Sequence, residues 1–480
     1  MLSLICLMLA VVMLLPVMFS CKKKDEIAED VSGGTEAQYL DDLGDFDFEG
    51  YEFKALSVTS EEEKYTKFDV EELAASVLDN SIYYRNREIE GRFNVVLKAN
   101  EEKNYGKCYD TLIEQSTAGV HNYDIIMLIN RSAHEAAING YLYPVESLTY
   151  VDQTKDYYLH DINEMISLKG KQFLVYSEES LYTFQRSTCI AYNKTMAENL
   201  GITGLYDTVR NDEWTFDKFF EYAKLGTSVT GDGEVESYGI YGHGDRIYST
   251  FFTAAGQDYI VKQNGSLKFT AGTNERMIEI SETELNLMKE NVLKCHYFEN
   301  LTSDTDATNE VFKTSKALFC GTIIGELSWF KDIDGWDYGV LPWPKYDTTQ
   351  ESYRTRVVDA WLHVVPISNP DPEMASVILE ALASGSAKWV FPAYYENHIQ
   401  GRTLRDSDSV EMLEIVRSTR VFDWGGVTFA DNVRAKVDQQ VFFAKAKTLQ
   451  NVCQTNKKAV NDSIKLAEDK VQELINSYGQ

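Results

Sequence analysis

The first regular pattern in the chain is an alternation of apolar and polar positions at Tyr51–Val58 (YEFKALSV), which predicts a β-strand. Leu73, Val77, Ile82 and Ile89 then recur at helical spacing and predict a helix from about Val70 to Glu90. Phe93–Leu97 (FNVVL) reads as the next strand, followed by a helix near Tyr109–Thr117. Tyr123–Ile129 (YDIIMLI) is a strand of the fully buried type, and a helix from about Ala133 to Asn139 ends at Gly140. The order is β-α-β-α-β-α, which implies a mainly parallel sheet covered by helices. Ligands of such sheets bind beyond the carboxyl ends of the strands, where the loop Ile129–Ser132 is expected.

A second α/β region follows. Ile190–Tyr192 is a short strand, and Trp214–Lys224 (WTFDKFFEYAK) is an amphipathic helix with Phe216, Phe219, Phe220 and Ala223 on one side. Thr215 or Asp212 is its expected cap, and Gly226–Gly244 is expected to be loop. A helix is predicted over Arg276–Leu293, strands at Ala317–Phe319, Tyr338–Leu341 and Trp361–Pro366, and a helix over Glu373–Ala383 behind Asn369-Pro370-Asp371-Pro372. The tail from about Asn432 to Tyr478 is helical by periodicity.

The ends of this pattern carry a different message. Met1–Ser20 is uncharged and almost wholly apolar, and Cys21 follows, with Lys22-Lys23-Lys24 after it. Such a segment is either a cleaved signal peptide or an uncleaved helical anchor, and either places the remainder outside the membrane. The cysteine after Phe19-Ser20 resembles the bacterial lipobox, although Met18 and Phe19 are bulkier than usual there and the basic start of a signal peptide is missing, which puts the expected start codon upstream. That resemblance implies cleavage before Cys21, lipidation of its thiol, and a membrane anchor through two acyl chains, which hold where one does not. Residues 21–46 read as a lipidated flexible tether.

At 480 residues the chain is long enough for more than one domain. A formal net charge of -29 excludes a nucleic-acid partner, because neutralising phosphates requires Lys and Arg. Cys108, Cys189, Cys295, Cys320 and Cys453 are scattered, without the spacing of a disulfide framework or a zinc site. No G-x-S-x-G elbow, H-E-x-x-H or G-x-x-x-x-G-K-[ST] loop is present, and Gly242-His243-Gly244 reads as a turn. The histidines at 121, 134, 160, 243, 296, 363 and 398 include no pair three or four apart. We therefore expect no catalytic residue, no metal and no cofactor. Paired carboxylates remain open, since a glycosidase pair is set by the fold and not by spacing.

Several segments, taken in order, resemble the family 1 extracellular solute-binding proteins of ABC importers. They are Tyr123–Leu142 (YDIIMLINRSAHEAAINGYL), Ala191-Tyr192-Asn193-Lys194 with the Trp214-Thr215 helix start behind it, Tyr238-Gly239-Ile240, Ala254-Ala255-Gly256, and Asp337–Asp347 (DYGVLPWPKYD). The resemblance spans about Tyr51–Arg420. It implies an α/β, two-lobed, periplasmic-binding-protein-like (type II) fold with a hinge and an interlobe cleft. The implied division is a signal peptide at 1–20, a tether at 21–46, a first lobe of 47–185 plus about 360–405, and a second of about 187–359 plus 406–480. Crossings are expected near Leu181–Arg186, Ala360–Pro366 and Arg405–Glu411. The implied function is capture of a small ligand, expected to be a mono- or oligosaccharide, for an ABC transporter permease. The alternatives are a lipid-anchored hydrolase and a ligand sensor. By position in the family pattern, Asn130, Arg131, Asp245, Arg246, Tyr248, Trp329 and Trp361 are the expected ligand contacts. Trp214 and Trp336 are expected to be structural.

Overall fold

The computed structural model describes residues 39–59, 67–296, 310–400, 403–404 and 406–478, without the side chains of 397, 398, 400 and 478. The expected signal peptide, Cys21, most of the expected tether and Arg405 therefore lie outside the described residues. So does the side chain of His398.

The first sheet forms from β1 (Tyr51–Val58), β2 (Val95–Glu102) and β3 (Ile125–Ile129), with β1 central and parallel to both. The helices between them start later or earlier than periodicity predicts. Ser76, whose side chain accepts from Asp79 N–H, starts the first at Val77, and Leu73 is left exposed before it. Asn94 closes it in the left-handed conformation, so Phe93 ends a helix and does not open a strand. Asn104 caps the second helix, Tyr105–Ala118. The third, Asn130–Ile138, starts directly from the end of β3, so the expected loop at Ile129–Ser132 is absent. It ends before Gly140, which holds φ 77°.

The second sheet contains β4 (Thr188–Asn193), β5 (Val235–His243), β6 (Ala317–Ile323) and β7 (Tyr338–Leu341), in the order β7-β4-β6-β5. β6 is parallel to β5, and β4 runs antiparallel to β6 and β7. Ser228–Val229 and Leu293–His296 also pair with β5. The region expected to be loop thus supplies a sheet strand. Gly239 is there because helix Phe216–Leu225 lies against the strand: a Cβ on it would sit 2.0 Å from the carbonyl oxygen of Ala223. Gly242-His243-Gly244 is likewise not a free turn but the junction of β5 with helix Gly244–Ala254. The helix Phe216–Leu225 has Thr215 at its cap without a side-chain bond, while Asp212 instead pairs with Lys345.

β8 (Trp361–Val364) then returns to the first sheet, antiparallel to β3. Helix Pro372–Gly385, capped by Asp371, packs with Phe53, Ile89, Phe93 and Ile125 under that sheet. Both faces of the second sheet are covered. Phe216, Phe219, Phe251, Trp343 and Val460 lie in one cluster with Phe319, and Val390, Tyr394 and Leu404 lie in another with Cys189, Ala191 and Cys320. The C-terminal helix Leu449–Tyr478 is shorter than expected, being preceded by helix Arg434–Val437 and a π-helical segment, Asp438–Phe443. Trp214 is fully buried and donates Nε1–H to Pro342 O at 2.9 Å, and Trp336 packs edge-on to Phe312.

Three chain segments lie side by side where the chain passes between the sheets. Val358 N–H donates to Arg186 O at 3.0 Å, and Thr355–Arg356 pairs in parallel with Arg420–Val421. Ion pairs reinforce them: Arg186 holds Asp359 through two bonds, at 2.8 and 2.7 Å, and Glu178 receives Arg417 and Arg420.

Candidate functional site

The site is built around this junction. On the first-sheet side, β8 begins at Trp361, opposite Ile129 at the end of β3. Helix Asn130–Ile138 starts at the next residue, and Asn130 N–H donates to Ala360 O at 2.8 Å. Tyr105, at the start of its own helix, stands edge-on to Trp361 at 5.8 Å and lies under the Arg131 guanidinium, which also donates to its hydroxyl at 3.2 Å. Of the residues expected to contact ligand, Asn130, Arg131 and Trp361 thus lie together. Tyr105, which no sequence pattern distinguishes from other exposed tyrosines, joins them.

Trp361 also meets Tyr182 edge-on at 5.9 Å, and Tyr182 underlies Arg186. Beyond Arg186 the second-sheet side begins. Glu326 lies in its field and accepts from Arg246 Nη2 at 2.8 Å and Thr322 Oγ1 at 2.9 Å. Arg246 in turn donates to Asp245 at 2.7 Å. Asp245 also receives Arg434 at 2.6 Å, and Arg356 lies 3.5 Å from it. Two series of side-chain contacts therefore face each other, one from Tyr105 to Arg186 and Asp359 and one from Glu326 to Asp438, and the charge of Arg186 acts on Glu326 across the step between them.

Charge in the second series is strongly perturbed. Burial alone pushes the Asp245 carboxyl up, but Arg434, Arg356 and Arg246 more than reverse this and hold it well below the usual carboxylate range. Glu326 is lowered the same way, burial being outweighed by Arg246 and Arg186. Asp438 goes the other way: burial lifts it to about 6 against the pull of Arg434 and Arg356. Arg356 and Arg434 come from residues far along the chain, so nothing local to Asp245 announces them.

Two expected residues are placed elsewhere. Tyr248 turns into the core, buried and stacked on Phe442 at 4.8 Å and 16°. Trp329 is 38% exposed on the 3-10 turn Ile324–Phe330, the same turn that carries Glu326, and it enters neither contact series.

One arrangement has the connectivity of a nucleophilic triad. Ser57 Oγ lies 3.0 Å from His363 Nε2, and His363 Nδ1 lies 2.8 Å from Glu179 Oε1. Ser57 is 0% exposed, inside the first sheet and bonded to His363, which Phe68 meets edge-on, so its hydroxyl is closed off from solvent. The three residues tie β1, β8 and the segment before Tyr182 together. Among the described residues, no group of three or more His, Cys, Asp or Glu could hold a metal ion. The five described cysteines are unpaired.

The model of the bacterial extracellular solute-binding protein family matches residues 87–388. No curated protein matches the sequence. Many solved structures share the fold. A cyclo/maltodextrin-binding protein complexed with maltotetraose is 16% identical, with a TM-score of 0.56 over 92% of this chain and 99% of that one. UgpB from Mycobacterium tuberculosis, in complex with glycerophosphocholine, is 14% identical, with a TM-score of 0.55 over 88% and 98%. An extracellular solute-binding protein from Staphylococcus aureus in complex with maltose is 12% identical, with a TM-score of 0.57 over 86% and 98%. At such identities the likeness establishes the two-lobed α/β fold.

Proposed function

The chain belongs to the bacterial extracellular solute-binding proteins, and from that premise we propose that it captures a saccharide between its two lobes and delivers it, unaltered, to an ABC importer. The observation that carries this reading is that the aromatic series from Tyr105 and Trp361 to Arg186 faces the charged series of Glu326, Arg246 and Asp245. Aromatic faces cover the C–H face of a sugar ring, and charged side chains make the stronger hydrogen bonds to its hydroxyls. Maltotetraose and maltose in two proteins of this fold support the choice of ligand class.

In this reading Asn130, Arg131, Tyr105 and Trp361 belong to one wall, and Asp245 and Arg246 to the other. Trp329 stands at the rim and Tyr248 supports the second wall from behind. The lobes are 47–185 with the stretch from about 360 through the helix ending at Gly385, and about 187–359 with 406–480. The hinge is the triple junction of Arg186, Asp359 and Arg420. Cys21 carries the lipid that holds the protein at the outer face of the membrane, beside its permease.

The test is a thermal-shift screen of the full chain in mild detergent against neutral and acidic mono- and oligosaccharides. A ligand at about 100 times its dissociation constant adds about 2.7 kcal/mol of stability. We expect a clear rise in Tm with one saccharide class and full recovery of that saccharide afterwards. No rise with any saccharide would remove the carbohydrate reading, and release of products would replace capture with hydrolysis.

A further inference from the structure

Resting on the saccharide-capture reading, we propose that the captured sugar carries an anionic group, a carboxylate or a phosphate, and that this group docks at the start of helix Asn130–Ile138. The start of this helix is made of donors. Arg131 N–H donates to Asn130 Oδ1 at 2.8 Å, which fixes the orientation of that amide. Its Nδ2 is left without a hydrogen-bond partner among the described residues, in a side chain only 3% exposed. Trp361 Nε1 is a second such donor, in a residue 1% exposed. The two belong to neighbouring residues, because Trp361 pairs with Ile129 and Asn130 N–H bonds to Ala360 O.

Buried donors without partners are costly and call for an acceptor. The helix supplies none of its own: Ile129 at the cap has no side chain to accept, and no Asp or Glu stands in the first turn. The helix dipole adds partial positive charge at the same point. Arg131 completes the set. It is exposed and has no carboxylate partner among the described residues, whereas Arg186, Arg246, Arg356 and Arg434 each have one.

A neutral hydroxyl fits this place poorly. It accepts from at most two donors and brings a proton that needs an acceptor of its own, whereas Asn130 Nδ2, Trp361 Nε1 and the Arg131 guanidinium are all donors. An anion accepts from all the donors and gives nothing back. The Tyr105 and Trp361 rings flank the donors, so the anion is expected as a substituent on a ring and not as a free ion. The formal charge of -29 opposes any anion at long range, so the attraction acts only at contact.

The experiment is titration calorimetry of the full chain with trigalacturonate, its methyl ester, galactose 1-phosphate, galactose and inorganic phosphate. We expect the acid to bind at least about tenfold more tightly than the uncharged ester. The ratio should fall by a similar factor in Arg131→Gln, whose exposed site leaves folding intact. It should also collapse in Asn130→Asp, which keeps the oxygen used by Arg131 N–H but replaces the free donor with an acceptor. Tighter binding of galactose 1-phosphate than of the uronate would support the site and assign the anion as phosphate. An ester or galactose binding as well as the acid would overturn the anion inference and leave saccharide capture standing. Inorganic phosphate bound through Arg131, with no sugar bound at all, would overturn the saccharide reading on which the inference rests. An acid preference untouched by both variants would overturn the assigned place.

Discussion

Asp245 is the residue on which most of the site's charge depends, since three guanidiniums converge on one buried carboxylate. Removing the shared carboxylate takes the charge partner from buried Arg356 and leaves Arg246 and Arg434 to Glu326 and Asp438, and the loss of one partner from a buried pair costs about 3–5 kcal/mol. Asp245→Asn is therefore expected to lower stability by about that amount in chemical denaturation, with the loss largest near neutral pH. Its folded pKa is depressed, so the stabilisation it provides is complete above the unfolded value of about 4 and fades only as the pH falls below it. The difference between the proteins should shrink in acid accordingly. Glu284 has the opposite sign. It is 0% exposed, neither carboxylate oxygen has a hydrogen-bond partner among the described residues, and burial, aided by repulsion from Asp438, raises it well above the usual range. Folding must then take up a proton at neutral pH, so stability falls as the pH rises above the unfolded value, with a slope approaching about 1.4 kcal/mol per pH unit. Glu284→Gln should flatten that slope, and be more stable than the natural chain at pH 7 but not at pH 4. An unchanged slope would mean that Glu284 is ionised in the fold. Neither role was legible in the sequence. Asp245 was singled out for its position in a family pattern, but the arginines that set its charge arrive from positions 356 and 434, and Glu284 looked like any other charged residue of an amphipathic helix.

Elements were legible where a single local pattern decided them. β1 occupies the residues that alternation predicts and β7 the strand predicted at Tyr338–Leu341, and helix Pro372–Gly385 follows from an aspartate cap and a proline in its first turn. Boundaries moved where a cap outweighed periodicity, as at Ser76 and Asn94. The largest departure is β5, taken for loop because it is rich in Gly and polar residues, and here tertiary packing supplies the reason. Gly239 lies so close to the backbone of helix Phe216–Leu225 that any side chain would have to displace the helix. Gly239→Ala should therefore cost more than the 1–3 kcal/mol typical of overpacking by about a methyl group, because the atom it meets is a backbone carbonyl and not a movable side chain. Urea denaturation followed by circular dichroism reads this directly. A cost below about 1 kcal/mol would show that the helix can slide along the sheet. The same substitution at Gly335, where φ is 82° and nothing lies within reach, carries backbone strain but no clash, and separates the two effects.

Across the whole molecule, the proposed capture of ligand places the hinge at the junction where three segments run side by side. Glu178 receives Arg417 and Arg420, Arg186 holds Asp359, and His363 joins Glu179, so each segment is tied to another by charge as well as by backbone hydrogen bonds. Such ties resist separation of the segments but leave rotation about them open, which is what a hinge requires. Closure on a ligand is a population shift, and a change from 1:99 to 99:1 needs about 5.5 kcal/mol of preference for the closed state. Micromolar binding supplies about 8.2 kcal/mol in all, enough to hold the lobes shut and still retain affinity. Arg186–Asp359 is the tie that touches the aromatic series at Tyr182 and acts electrostatically on Glu326, so in the proposed reading it couples the hinge to the site. Asp359→Asn keeps the shape of that side chain and removes its charge, leaving Arg186 to Glu326 alone. We expect small-angle scattering of the natural chain to show a smaller radius of gyration with saturating ligand than without it. In Asp359→Asn the same contraction should require a higher ligand concentration, with the radius of the saturated form unchanged. Equal midpoints in the two proteins would separate the hinge from the site, and a saturated radius that differs would mean that the ion pair shapes the closed state itself.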